Sequence, residues 1–95
     1  MAAYVIVNDE VLDEGTFSDF RERIGATVAA HGGRYLVRGG SVEVVEGSWS
    51  ADRVVVVEFD DVGAAHGWLN SAEYTDLKKI RERSANANVI VVEGV

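Results

Sequence analysis

The sequence predicts an α+β domain of ferredoxin-like topology, β-α-β-β-α-β, with an antiparallel sheet and both helices on one face. Three observations carry this. Segments rich in β-branched residues and segments with apolar residues every three or four positions follow one another in that order. The connections are short, and right-handed crossovers between such elements give this sheet and no other simple one. The 95 residues, 47% apolar and 26% charged, suit one globular domain spanning 1–95, and the absence of proline leaves no linker-like stretch.

The elements can be justified in turn. Residues 3–7 form the first strand, β-branched in the main. Asp9, Glu10, Asp13 and Glu14 then read as an acidic helix start, where carboxylates meet free N–H groups and the positive end of the helix dipole. Phe17, Phe20, Ile24, Val28 and His31 make the stripe of the first helix, which Gly32-Gly33 ends. A second strand covers 34–38, bends or bulges at Gly39-Gly40 and resumes over 42–46. Residues 47–52, with Trp49, read as a hairpin loop before the strand at 53–59. Asp60-Asp61 cap a second helix through Val62, Ala65 and Leu69, and Asn70-Ser71 break and recap it before Tyr74, Leu77 and Ile80. Lys78, Lys79, Arg81 and Arg83 suit the negative end of that helix, and the last strand covers 89–93.

The strands Val54-Val55-Val56-Val57 and Val89-Ile90-Val91-Val92 are apolar on both faces, as strands covered on both sides must be. Two helices cover one face only. The other would be a contiguous apolar patch, and each valine buried there is worth roughly 1.5–3 kcal/mol. A second copy of the chain, sheet against sheet, is the expected cover, with Arg38 and Glu58 near that interface or its cavity.

Composition narrows the function. Nine basic against sixteen acidic residues give a net charge of −7, which disfavours nucleic acid and anionic membranes as partners. RNA-recognition domains share this element order but place aromatics on the third strand, which here is valine-rich. With no cysteine, disulfides and thiolate chemistry are excluded, and a reduced cytoplasmic setting fits. The N-terminus has neither the basic flank nor the length of a targeting or spanning segment. The glycine pairs lack the spacing of a phosphate-cradling loop.

The stretch Gly32-Gly33-Arg34-Tyr35-Leu36-Val37-Arg38-Gly39-Gly40, followed by Val42-Glu43-Val44-Val45-Glu46-Gly47, resembles a domain-of-unknown-function family, DUF1330. Arg53 to Phe59, Trp68, Ser71-Ala72-Glu73-Tyr74, Arg81 and the ending Val91-Val92-Glu93-Gly94-Val95 continue the likeness over nearly the whole chain. The resemblance implies a dimeric α+β barrel, in a superfamily of small-molecule proteins that includes cofactor-free oxygenases, isomerases and haem enzymes. It implies no particular reaction.

Few residues invite chemistry. His31 and His66 are the only histidines, too far apart for one helical face, so no metal and no cofactor is expected. His31 suits a helix C-terminus and His66 a solvated face. Arg38 precedes the glycine bend, and Glu58 shares a strand face with Val54 and Val56; charges among buried residues must be paired or functional. Trp68 and Tyr74, beside Asn70, suit the wall of a small-molecule pocket as well as a core. The expected function is therefore binding or transformation of a small organic molecule between the sheet and the second helix. Arg38 would anchor an anionic or carbonyl group, Glu58 would be the candidate base, His31 a second acid or base, and Trp68 and Tyr74 the walls. Proton abstraction beside a carbonyl, or cofactor-free oxidation, suits such a set. The competing reading is a dimeric structural or interaction module without chemistry. A deep polar and aromatic cavity separates the two.

Overall fold

The computed structural model describes residues 1–50 and 52–95. Its elements are β1 (Ala3–Val11), α1 (Glu14–Ala30), β2 (Arg34–Arg38), β3 (Arg53–Phe59), α2 (Val62–Leu69), α3 (Ala72–Ser84) and β4 (Ala85–Glu93). The sheet order is β2-β3-β1-β4, antiparallel throughout, which is the ferredoxin-like arrangement. The recapping at Asn70-Ser71 divides the expected second helix into α2 and α3. Asp13, Asp61 and Ser71 cap the three helices, accepting from the backbone N–H of Thr16, Ala64 and Tyr74 respectively. Among the described residues no helix is long and apolar enough to cross a membrane.

The core lies between the sheet and the helices. Ala3, Val5, Val7, Val55, Val57 and Phe59 supply the sheet side; Phe17, Phe20, Ile24, Val28, Ala65, Trp68, Tyr74 and Leu77 supply the helix side. A Cβ on Gly33 would stand 2.8 Å from the Phe59 ring, so glycine there lets the chain cross the core edge closely. The other sheet face carries Tyr4, Ile6, Val54, Val56, Glu58, Ile90 and Val92, and no helix or strand among the described residues covers it. Ile90 is 54% exposed there.

Three expectations are corrected. β1 extends to Val11 and β4 starts at Ala85, because the two pair along their full length from Ala3↔Glu93 to Val11↔Ala85. Asp9 and Glu10 therefore belong to the strand, and only Asp13 and Glu14 stand at the helix start. Second, the bulge lies at Leu36: Tyr35 faces Val57 while Val37 faces Val56. Gly39 instead ends the strand with φ +72°, its N–H donating to the Val54 carbonyl. Third, residues 42–46 form no strand, and Val42, Val44, Val45 and Trp49 stand exposed. Of the expected loop at 47–52, Ala51 lies outside the described residues.

Candidate functional site

β1 places alternate residues toward the helices, and the inward series Ala3, Val5, Val7 ends on a carboxylate, Asp9. It is 2% exposed. Its register partner on β3 is Arg53, with Nε 3.8 Å from Asp9 Oδ2. From the opposite layer comes Arg81, seven residues after Tyr74 and four after Leu77, hence on the inward stripe of α3. Arg81 is 5% exposed and donates from Nη1 to the Tyr74 hydroxyl at 3.0 Å. Its guanidinium lies 5.6 Å from the centres of both the Phe20 and Tyr74 rings. The expected role of Arg81 at the helix dipole is thereby corrected: it turns into the core.

Aromatic groups complete the site. Trp68 meets Tyr74 edge-on at 4.7 Å, and its indole N–H donates to Thr27 Oγ1 at 2.9 Å. Tyr35 of β2 closes the side toward the sheet edge. Together with Val7, Ile24, Val55 and Val57, these residues surround a cavity of ≈ 30 Å³. That is room for one or two waters, or a few heavy atoms.

The electrostatics of this cavity are unusual for a core. Asp9 Oδ1, Arg53 Nε and Arg81 Nε are buried and have no hydrogen-bond partner among the described residues. Such atoms cost roughly 1–3 kcal/mol each, more when charged, and native cores hold few of them. Burial pushes the Asp9 carboxyl above the usual aspartate range, against the pull of the Arg81 and Arg53 charges. Burial likewise lowers Arg53, opposed by Asp9 and reinforced by Arg21 and Arg38. The Tyr35 phenol is raised, again chiefly by burial.

Of the residues singled out from sequence, Trp68 and Tyr74 line this cavity and three others do not. The bulge at Leu36 turns Arg38 onto the helix side, where it stacks 4.3 Å over Tyr35 and donates to the Arg21 carbonyl. Glu58 is on the opposite, open face, bound to Arg34 Nε at 2.6 Å. Arg38 and Glu58 thus lie on different faces and share neither interface nor cavity. His31 caps α1 at the surface, 3.1 Å from Glu73. The residues missed were Asp9, Arg53, Arg81 and Tyr35. Asp9 was readable, since it continues the alternation of Val5 and Val7, and Arg81 shares the stripe of Tyr74 and Leu77. Among the described residues, no three His, Asp or Glu side chains cluster as metal ligands would.

The family model described as Domain of unknown function (DUF1330) matches residues 2–95. No curated protein matches the chain. Among solved structures, a protein of unknown function from Rhodopseudomonas palustris, RPA0582, superposes with a TM-score of 0.81 at 13% identity, over 99% of this chain and 82% of that one. A dimeric ferredoxin-like protein of unknown function from Jannaschia sp. CCS1 gives 0.72 at 15% identity, over 99% and 100%. SnoaB, a cofactor-independent oxygenase from Streptomyces nogalater, gives 0.72 at 12% identity, over 99% and 93%. Likeness at this identity is likeness of fold.

Proposed function

Since the chain belongs to the DUF1330 family, whose description carries no activity, we propose a function from the site itself: it binds a small organic molecule between sheet and helices. One observation carries this reading. Three buried polar atoms without partners converge on one aromatic-walled cavity, the arrangement in which a ligand supplies the missing bonds. Trp68, Tyr74, Phe20 and Tyr35 form the walls, Arg53 and Arg81 hold an oxygen of the ligand, and Asp9 is the group placed to exchange a proton with it. The role of base first expected of Glu58 or His31 passes to Asp9, and Arg38 supports the Tyr35 wall from outside. A carboxyl whose affinity for protons is raised by burial suits proton transfer near neutral pH better than an ordinary aspartate. Proton abstraction beside a carbonyl, or oxidation without a cofactor, is the chemistry that fits, and the fold of SnoaB is at least compatible with the latter.

The same reading makes the protein a homodimer joined through the open sheet face. Ile6, Val54, Val56, Ile90 and Val92 would be covered by their counterparts, and two structural neighbours are described as dimeric.

The test is protein-detected NMR against a set of small carbonyl and carboxylic compounds. Hits should shift the Trp68 indole N–H, and Trp49→Phe leaves that resonance unambiguous, since the chain has two tryptophans. A set in which no compound moves the Trp68 signal would leave the non-catalytic dimeric module as the better account. Sedimentation at micromolar concentration should give about twice the chain mass, as the apolar face requires.

A further inference from the structure

Resting on that reading of the cavity, we propose that its ligand is a small monocarboxylate, received by the guanidinium groups of Arg81 and Arg53. The argument is one of charge and geometry. The cluster holds the buried Arg81 and Asp9 and the half-buried Arg53, so its net charge is +1 with Asp9 ionised. Arg81 makes no ion pair with any described residue; its one hydrogen bond goes to the neutral Tyr74 hydroxyl. Arg53 reaches its carboxylate only at 3.8 Å, too far for a hydrogen bond. A buried cation left uncompensated is strongly unfavourable, and one negative charge in the cavity balances it.

The wider surroundings agree. Arg53 and Arg81 line the cavity; outside it, Arg38 stacks on the Tyr35 wall and Arg21 shares a surface cleft with Arg53, in a chain of net charge −7. The acids near them are Asp9 inside, and Glu14 and Asp52 beside Arg21 and Arg53 in the adjoining surface cleft. Such a local excess of cation in an acidic protein is selective for an anion. A carboxylate offers two oxygens, one for each of the Arg53 and Arg81 Nε–H groups that have no partner among the described residues. Asp9 Oδ1 then accepts a hydrogen bond from the ligand's own O–H or N–H, or donates one when protonated. The size agrees as well, since ≈ 30 Å³ accepts a carboxylate head of a few heavy atoms. The tail, if any, runs along the aromatic wall.

Acetate and acetamide share one shape and differ in charge, malonate is larger and adds a second carboxylate, and the whole protein with Trp49→Phe is titrated with each while the Trp68 indole resonance is followed. Acetate should bind saturably, on the order of millimolar for so few atoms. Acetamide should bind about tenfold more weakly or worse, the difference between a charge-assisted and a neutral hydrogen bond. Malonate, carrying one charge too many, should also be weaker. Asp9→Asn raises the cluster to +2, so acetate should tighten and malonate gain more, an outcome that mere loosening of the fold cannot imitate. Arg81→Gln should abolish the preference for acetate over acetamide. If that variant does not fold, Arg81→Lys, which keeps the charge and loses the fork, should reduce the preference without inverting it. Acetamide binding as well as acetate would overturn the carboxylate while leaving a ligand in the cavity. Silence of the Trp68 resonance toward all three overturns the carboxylate; silence toward the broader carbonyl set as well removes the ligand reading with it.

Discussion

The two faces of the sheet are cut from the same valine-rich strands, and they differ in where their charges sit. On the helix side the apolar rows of β1 and β3 close over a core, and at its end stand Asp9 and Arg53, with Arg81 opposite. On the open side the centre is apolar, and the charges of Arg34 and Glu58 pair at the margin, where Arg34 is half-exposed to water. Buried charge with unfilled hydrogen bonds marks a place for a ligand, whereas an apolar centre with paired marginal charge marks a place for another protein surface. On the proposed reading, one sheet separates binding of a small molecule from association with a partner.

Truncation should expose the contrast most strongly. Phe59→Ala, within the helix-side core, should cost about 3–5 kcal/mol in urea unfolding. Ile90→Ala on the open face should leave the monomer's own stability nearly untouched and act through the dimer, so its cost should grow with protein concentration. A cost for Ile90→Ala independent of concentration would break the comparison.

Charge comes next. Asp9→Asn takes the carboxylate away from buried Arg81 and half-buried Arg53, a loss offset because burial disfavours that same charge, and should destabilise by about 1 kcal/mol, partly restored by a bound anion. Glu58→Gln removes a pair that is half in water, and should cost less than about 1 kcal/mol. The pH dependence follows from the direction of the Asp9 shift. An acid raised by folding holds its proton more tightly in the native state, so its contribution is fully present below the ordinary aspartate pKa. It is lost as pH rises through the native value. Glu73, lowered by its hydrogen bond with His31, acts in the opposite sense: its contribution is present above the usual glutamate pKa and disappears as pH falls. Urea midpoints across the acid range should therefore change in Asp9→Asn by losing a component that falls with rising pH.

The smallest effects separate two adjacent glycines. Gly39 has φ +72° and a Cβ there would collide with the Arg53 guanidinium, so Gly39→Ala should cost about 1 kcal/mol or more. Gly40 faces open space at an ordinary backbone angle, and Gly40→Ala should stay within about 0.5 kcal/mol. Equal melting temperatures for the two variants would show that the strand does not end where Gly39 puts it.

Periodicity made most of the fold legible. The stripe Phe17, Phe20, Ile24 and Val28 is buried as its spacing requires, and β3 occupies residues 53–59 as read. The ends of β1 and β4 were hidden because Asn8, Asp9, Ala85, Asn86, Ala87 and Asn88 have weak strand preference; full-length pairing overrides it. That truncation also hid the site, since Asp9 counted as a helix-start acid once the strand was ended at Val7. Arg38 was misplaced for a different reason. A bulge changes which face every later residue takes, and sequence points to glycines for bulges, while here the extra residue is Leu36. Trp68 and Tyr74 were legible because they sit on helices, where no such slip intervenes.

Whether the helix-side cavity holds a ligand is read from a crystal structure of the protein as purified, in the density between Trp68, Arg53 and Arg81. An ordered organic occupant is expected within hydrogen-bonding distance of Asp9 Oδ1, Arg53 Nε and Arg81 Nε together. A cavity that is dry or holds water alone, with those three atoms bonded to one another or to that water, would overturn the ligand reading.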